Sequence, residues 1–190
     1  MWYLNYKPFE NWVFVDKFLT ADECQQIKDL AQNLNIVSGT IGNSGETNKD
    51  YRDSTIRWLD AKEKECEWIH RKLTDAINHV NQQFWNFDLD YIETLQYSEY
   101  HAPSGKYEAH MDISFGGLHN RKLSFSVQLD DSETYKGGDL QLLDGRDFFD
   151  TKREQGTLIV FPSFLVHRVT LTEEGTRRSL VGWVCGPNFK

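Results

Sequence analysis

The pattern of apolar residues changes once along the chain, near residue 88, and this change limits the possible folds more than any other feature. After it, short apolar runs alternate with turns that are rich in Gly, Asn, Asp and Pro. Such spacing is typical of a β-sandwich or a jelly-roll barrel. The runs are DYIETLQYSEY, YEAHMDISF, KLSFSVQLD, DLQLLD, TLIVFPS, HRVTLT and SLVGWVCG. We therefore predict an α+β, mainly β fold with a barrel over residues 88–190.

The first part of the chain, residues 1–87, shows helical patterns instead. Thr20 followed by Glu23 matches a capping box and predicts a helix that ends near Leu34. Between residues 60 and 84, apolar residues recur every three or four positions, which predicts a long amphipathic helix. The stretch IGNSGETNKDYRDS between them predicts a loop. We expect this region to support the barrel from outside.

Composition excludes several classes of function. The formal net charge of -8 argues against a nucleic-acid partner, because nucleic-acid-binding surfaces concentrate Lys and Arg. No stretch approaches the roughly 18 apolar residues of a membrane-spanning helix, and the first residues lack the pattern of a signal peptide. The cysteines, Cys24, Cys66 and Cys185, are too few for a disulfide framework. We expect one cytoplasmic domain over residues 1–190.

One histidine and one aspartate stand two positions apart in the run YEAHMDISF. If this run is a strand, His110 and Asp112 point to the same face, because side chains alternate along a strand. His167, after the apolar strand TLIVFPS and its Pro-Ser corner, is the candidate third ligand. Two histidines and one carboxylate leave open positions on a metal, as in the facial triad of non-haem Fe(II) oxygenases. A structural zinc site is usually closed by four protein ligands.

Two adjacent arginines follow in EEGTRRSLVGW. If this segment is a strand, either Arg177 or Arg178 must point inward. A buried guanidinium needs an anionic partner, and a carboxylate matches its planar fork best. A bound dicarboxylate is one candidate partner. The alternative is a surface pair that balances Glu173 and Glu174.

Together, the HxD pair, the distant histidine and the arginine ten residues after it resemble the 2-oxoglutarate and Fe(II)-dependent dioxygenases, more narrowly the prolyl 4-hydroxylase type. The resemblance runs from about Leu95 to Trp183. It includes a Tyr-Gly-Tyr lead-in to HxD and a Gly-Gly turn at residues 137–138. The closing stretch is most similar to the bacterial and viral branch. The resemblance implies a double-stranded β-helix, that is, a jelly-roll or cupin-like barrel, with supporting N-terminal helices.

The resemblance also implies roles for individual residues. His110, Asp112 and His167 would bind Fe(II), and Arg177 would bind the distal carboxylate of 2-oxoglutarate, with Arg178 facing outward. A further set lies near the co-substrate or the substrate in the family. Its members here are Tyr107, Tyr100, Trp183 and, in the strand after Arg121, Val127 as the best-aligned position with Ser124 and Gln128 alongside.

The implied reaction consumes O2 and 2-oxoglutarate, releases succinate and CO2, and hydroxylates a C–H bond, with ascorbate as a further expected reductant. Peptidyl proline is the expected target. A free amino acid, another protein side chain and a small metabolite remain alternatives, as does a cupin-like metal-binding module without turnover. Residues 36–54 and 101–106 are the candidate substrate lids. The expected partner is a peptide or protein substrate, or else a small molecule.

Overall fold

The computed structural model describes residues 9–39, 47–113 and 120–188. The part of the chain before residue 88 contains strands as well as helices. Its elements are β1 (Val13–Val15), α1 (Ala21–Gln32), β2 (Val37–Ser38), β3 (Arg52–Asp53), β4 (Thr55–Leu59), a 3-10 turn (Lys64–Cys66) and α2 (Glu67–Phe84).

The rest of the described chain is built almost entirely of strands, as the sequence predicts. The strands are β5 (Tyr91–Ile92), β6 (Leu95–His101), β7 (Lys106–His110), β8 (Asn120–Gln128), β9 (Lys136–Gly137), β10 (Leu140–Asp144), β11 (Asp147–Asp150), β12 (Leu158–Pro162), β13 (His167–Val169), β14 (Thr172–Glu174) and β15 (Thr176–Gly186). A 3-10 turn at Ser132–Thr134 precedes β9. The mainly β prediction is confirmed.

The strands form two antiparallel sheets and one short pair. The large sheet has the order β1-β12-β8-β15-β6-β4-β2, with β5 beside β15, and the small sheet has the order β11-β10-β13-β7-β3. Strands β14 and β9 form the short pair. Neighbours such as β7 and β13 are far apart in sequence, which is typical of jelly-roll connections.

Two apolar clusters hold these layers together. One joins the helices to the large sheet and includes Ile27, Leu73, Phe125, Val127 and Leu180, all fully or almost fully buried. The other includes Leu142, Phe161 and Val169 and draws on strands of both sheets. The helices therefore cover one face of the large sheet, and the small sheet packs on its other face.

The N-terminal part differs from the prediction in one respect. Strand β4 pairs with β6, and β1 pairs with β12, so residues before position 88 complete the large sheet. Strand β3, inside the predicted loop, pairs with β7. Residues 41–46 of that loop lie outside the described residues. The region 1–87 is thus part of the barrel as well as its helical support.

Both helices form where the sequence predicts them, with shifted ends. Thr20 Oγ1 accepts from Glu23 N at 3.2 Å and Glu23 Oε2 accepts from Thr20 N at 2.8 Å, which completes the capping box of α1. Helix α2 begins at Glu67 rather than near residue 60. The preceding residues form a turn because Asp60 Oδ1 accepts a hydrogen bond from Lys62 N at 2.9 Å.

An ion-pair network ties α1 and β4 to the outer side of β15. The Glu99 carboxylate contacts Arg57 and Arg178, and Asp130 contacts Arg178 and Lys28 of α1. Burial disfavours the Glu99 carboxylate, but the hydrogen bond and charge of Arg57, with the charge of Arg178, outweigh burial and lower its pKa. The Glu99 charge therefore stabilises the fold above its unfolded pKa, and this contribution is lost as the pH falls through the folded pKa.

We predict that Glu99→Gln lowers the free energy of unfolding by about 1–2 kcal/mol at neutral pH, because the partly buried Arg57 loses its carboxylate partner and Arg178 keeps only Asp130. The difference from the unsubstituted chain should shrink in acid. Urea unfolding at neutral and acidic pH measures both effects. Glu67→Gln is the control, since it removes an exposed ion pair with Arg71 and should cost under about 0.5 kcal/mol. Equal stability of Glu99→Gln and the parent at neutral pH would contradict this account.

Candidate active site

Three predicted ligands come together between the sheets. Strand β13 pairs with β7 so that His167 lies directly opposite His110. His167 Nε2 is 3.3 Å from Asp112 Oδ2, and His110 Nε2 is 3.7 Å from Asp112 Oδ1. The three candidate ligand atoms all lie within 4.8 Å of one another. This spacing suits a single metal ion.

Both imidazole rings are fixed through their other nitrogen. His110 Nδ1 donates to the carbonyl of Glu108 at 2.7 Å, and His167 Nδ1 donates to the carbonyl of Leu165 at 3.0 Å. These bonds assign the proton to Nδ1 and leave the Nε2 lone pairs directed toward Asp112. Histidines that bind metals usually have this arrangement.

Asp112 reaches the site by a different route from the one predicted. Strand β7 ends at His110, so strand alternation does not orient Asp112. Instead, the backbone N–H of Asp112 donates to the carbonyl of Ser163 at 3.0 Å. Ser124 Oγ lies 2.9 Å from Ser163 Oγ and donates to Asp112 Oδ2 at 2.7 Å. The turn between β12 and β13 therefore places the carboxylate.

The protonation states fit a metal site. Burial raises the pKa of Asp112, but His167, His110 and Ser124 outweigh it and hold that pKa well below its usual range. Burial, and then the charge of His167, lower the pKa of His110 to about 3. Burial also disfavours charge on His167, yet the Asp112 carboxylate outweighs it and raises the His167 pKa. Asp112 is thus ionised and favours a positive charge beside it, which a divalent cation supplies.

A cavity of about 670 Å³ opens beside these three residues. Its walls come from both sheets and combine aromatic with charged side chains. The lining includes Tyr51, Arg52, Trp58, Tyr100, Tyr107, Arg121, Ser124, Phe161, Arg177, Ser179 and Trp183. A cavity of this size, with a few converging polar groups, is typical of a small-molecule site.

Arg177 is the inward arginine, and it is 1% exposed. Its Nη2 donates to Gln128 Oε1 at 2.9 Å, while its buried Nε has no hydrogen-bond partner. Within residues 9–39, 47–113 and 120–188, no carboxylate forms an ion pair with Arg177. A buried guanidinium without a counter-charge is costly, so this environment fits a bound carboxylate.

Two hydroxyl groups that the sequence analysis missed belong to the same region. Ser179, two positions after Arg177 on β15, lines the cavity, and its buried Oγ has no hydrogen-bond partner. Thr172 Oγ1 is likewise buried without a partner. A Cβ on Gly138 would lie 2.9 Å from Thr172 Oγ1 and 3.3 Å from Arg177 Cδ, so the Gly-Gly turn passes close to both. Strand alternation from Arg177 was the available signal for Ser179.

The neighbouring arginine faces the other way, as predicted. Arg178 pairs with Glu99 and Asp130, and Glu174 pairs with Lys136. The alternative interpretation of a surface arginine pair that balances Glu173 and Glu174 is therefore wrong.

The three β8 residues that were candidates for a co-substrate contact, Val127, Ser124 and Gln128, lie in different surroundings. Val127 is fully buried in the apolar cluster under the helices and does not line the cavity. Gln128 is the residue that bonds Arg177, and its Nε2 donates to the carbonyl of Lys152 at 3.1 Å. Ser124 faces Asp112 instead.

The predicted tyrosines and tryptophan all line the cavity. The Tyr107 ring stacks on His110 with centroids 3.6 Å apart, and burial raises the Tyr107 pKa to about 12. The Tyr100 ring centroid is 5.6 Å from Arg177 Cζ. The Arg121 guanidinium stacks on Trp183 at 3.9 Å and forms two hydrogen bonds with Glu93. A hydrogen bond from Tyr107 or Tyr100 to the co-substrate stays a prediction.

Neither α1 nor α2 is long and apolar enough to cross a membrane, and no other helix of the described chain is.

Comparison with known proteins shows which family the chain resembles. The model of the 2OG-Fe(II) oxygenase superfamily matches residues 95–185. A PKHD-type hydroxylase of Acaryochloris marina is 31% identical over 179 residues, which cover 90% of this chain and 76% of the relative. A PKHD-type hydroxylase of a Synechococcus species is 34% identical over 158 residues, covering 67% of this chain and 71% of the relative.

Solved structures show the same fold. A prolyl-4-hydroxylase of Pseudomonas putida is 22% identical with a TM-score of 0.73, and the match covers 94% of each chain. A prolyl hydroxylase of Trichoplax adhaerens is 17% identical with a TM-score of 0.77, covering 92% of this chain and 83% of the other. The two sheets are thus the double-stranded β-helix that the sequence predicts. The chain belongs to the family of these PKHD-type hydroxylases, within the 2OG-Fe(II) oxygenase superfamily.

Proposed function

We propose that this dioxygenase hydroxylates a prolyl residue in a peptide or protein, with His110, Asp112 and His167 as the iron ligands and Arg177 as the anchor of 2-oxoglutarate. One observation carries the site assignment: a three-ligand set with an open side shares a cavity with a buried arginine that has no carboxylate partner among the described residues. A metal site that is only structural has no use for such an arginine.

Proline as the target is supported by the relatives. The Trichoplax adhaerens neighbour is described as a prolyl hydroxylase in complex with a peptide fragment of the hypoxia inducible factor oxygen degradation domain. The Pseudomonas putida neighbour is described as a prolyl-4-hydroxylase. In this chain the cavity is lined by the flat rings of Trp58 and Trp183, whose centroids lie 6.4 Å apart. An apolar five-membered ring suits such walls.

In the reaction, the protein binds and orients the metal and the co-substrates and excludes competing reactions. Fe(II), 2-oxoglutarate and O2, when bound, supply the oxidising chemistry that places one oxygen atom on a C–H bond and yields succinate and CO2. His110 and His167 would present their Nε2 atoms to the metal, aimed by their Nδ1 hydrogen bonds, and Asp112 supplies the negative charge. Three protein ligands leave positions open for small ligands.

Arg177 binds the distal carboxylate of 2-oxoglutarate. Its unpartnered Nε, together with the hydroxyls of Ser179 and Thr172, offers buried donors to a carboxylate. Gln128 holds the guanidinium through Nη2 and is itself held by the Lys152 carbonyl. Because these donors are buried and Gln128 holds the guanidinium, a charge-assisted bond there is strong. Ascorbate as a reductant remains a prediction.

We predict that His167→Ala abolishes turnover and tight Fe(II) binding, because two ligands hold the metal far more weakly than three. Iron binding is measured by calorimetry without oxygen, and turnover by succinate release from 2-oxoglutarate. His79→Ala is the control, since His79 is exposed on α2 and should leave both values unchanged. Retained turnover in His167→Ala would remove His167 from the ligand set.

We predict that Arg177→Gln raises the KM for 2-oxoglutarate by about 100-fold, because a carboxylate loses a buried charged partner. Arg177→Lys should recover only part of this loss, since an ammonium cannot form two parallel bonds. Arg178→Gln is the matched control: it removes the adjacent arginine, destabilises the fold and should leave this KM within about twofold. An unchanged KM in Arg177→Gln would place the co-substrate elsewhere.

We predict that proline-containing peptides gain the mass of one oxygen atom when they are incubated with the enzyme, Fe(II) and 2-oxoglutarate. Mass spectrometry of a peptide array measures the gain, and the same peptides with alanine in place of proline are the control. Oxygen transfer to free amino acids or metabolites, with none to any peptide, would contradict the peptidyl target while leaving the dioxygenase chemistry in place.

A further inference from the structure

The strand that carries His110 is clamped from its outer side by a short segment, residues 48–54. In the small sheet, β7 lies between β13, which carries His167, and β3, which belongs to this segment. Strand β3 has only two residues, so backbone pairing alone gives it little hold on β7. The side chains of the segment supply further contacts.

Arg52 makes the contact that leads to the metal site. It lies directly opposite Tyr107 in the β3–β7 pairing, and its Cζ is 4.5 Å from the centroid of the Tyr107 ring. His110 stacks on the same ring with a centroid distance of 3.6 Å and an interplanar angle of 21°. Because this contact fills one face of the ring, the guanidinium over the ring must lie on the other face. Arg52, Tyr107 and His110 therefore form one continuous stack that ends at a candidate iron ligand.

The position of Arg52 is itself constrained. Its Nε donates to Ser54 Oγ at 3.0 Å, and the side chain is 7% exposed. A Cβ on Gly39 would lie 2.6 Å from Arg52 Nε and 2.4 Å from Ser54 Oγ, so the backbone of Gly39 closes over both groups. The guanidinium has little room to leave the Tyr107 ring.

Tyr51 fastens the same segment to β7 on both sides of that stack. Its carbonyl accepts from Glu108 N at 2.9 Å, its hydroxyl donates to the carbonyl of Ala109 at 2.9 Å, and its ring meets Tyr107 edge-on at 6.0 Å. Tyr51 and Arg52 also line the cavity. The segment thus touches both the wall of the cavity and the support of His110.

We propose that Arg52 is a positioning residue for the metal centre: it presses Tyr107 onto His110, so that metal binding at His110 and ordering of residues 48–54 strengthen each other. This inference rests on the proposed function of His110 as a ligand. The coupling is reciprocal by thermodynamic necessity, because whatever the segment adds to metal affinity, the metal adds to the stability of the segment.

The test measures Mn(II) binding by the electron paramagnetic resonance signal of the free ion, without 2-oxoglutarate, substrate or turnover. Arg52→Met keeps the length of the side chain but removes the planar cation, and it should weaken Mn(II) binding by about tenfold, the range for groups that support a metal ligand. The Mn(II) affinity of Arg52→Lys should lie between those of the parent chain and Arg52→Met. Tyr107→Leu should weaken binding similarly, and Arg52→Met should add little further loss to it, because both act through one stack.

Arg153→Met is the matched control. Arg153 stacks on Tyr135 at the same 4.5 Å, but Tyr135 does not line the cavity, so this variant should retain Mn(II) affinity even where thermal unfolding shows a loss of stability. Hydrogen exchange gives the reciprocal measurement. Mn(II) should slow exchange of the Tyr51 and Arg52 amides, which donate to the Asn48 carbonyl, and this slowing should disappear in Arg52→Met.

The possible outcomes distinguish the positioning role of Arg52 from metal binding by the three ligands, on which that role rests. If the parent chain binds Mn(II) and Arg52→Met binds it equally well, the positioning role of Arg52 is overturned and the metal site stands. If Arg52→Met changes only the KM for 2-oxoglutarate, Arg52 acts on the co-substrate and the inference is again overturned. If the parent chain does not bind Mn(II), both the ligand assignment and the inference are wrong.

Discussion

The buried carboxylate of Asp112, held between two imidazole rings, is the interaction on which the site depends. An ionised group in this position is tolerable only because His110, His167 and Ser124 surround it with positive charge or hydrogen-bond donors. Each partner comes from a different strand: β7, β13 and β8. The carboxylate therefore requires both sheets to be in place, and any slip of one strand against its neighbour would leave it without partners.

Strand β15 connects this site to the rest of the molecule. Its alternate residues Arg177, Ser179 and Trp183 line the cavity, while Arg178 and Leu180 face the helical layer through the ion-pair network and the apolar core. One strand thus has a polar, ligand-facing side and a structural side. The helices of the N-terminal region matter to the chemistry because they fix the outer side of the strand that carries the arginine.

Much of this could be predicted from the sequence, where a residue's type and spacing were sufficient. The two histidines, the aspartate and the inward arginine carry chemistry that few other arrangements would use, and the turns between strands are marked by Gly, Asn and Asp. Asp112 was found for a partly wrong reason, since β7 ends at His110 and a turn more than 50 residues later in the chain holds the carboxylate.

The errors have physical causes. Val127 was the best-aligned of the three β8 candidates, but its side chain lies in the apolar cluster while that of the next residue, Gln128, faces Arg177, because successive side chains in a strand point to opposite faces. Strands β1 and β4 were missed because each is short and obtains its stability from partners at distant positions, β12 and β6. No local pattern contains that information.

In the proposed co-substrate site, the two binding ends belong to different sheets. Two of the candidate metal ligands lie on the small sheet, and Arg177 lies on the large one. Packed sheets keep a nearly constant separation of about 10 Å, because side chains fill the space between them. The layers therefore hold the metal ligands and Arg177 at a fixed separation. Under the proposed assignment, a diacid must span the gap between the two sheets, so the packing between the sheets limits the length of the co-substrate.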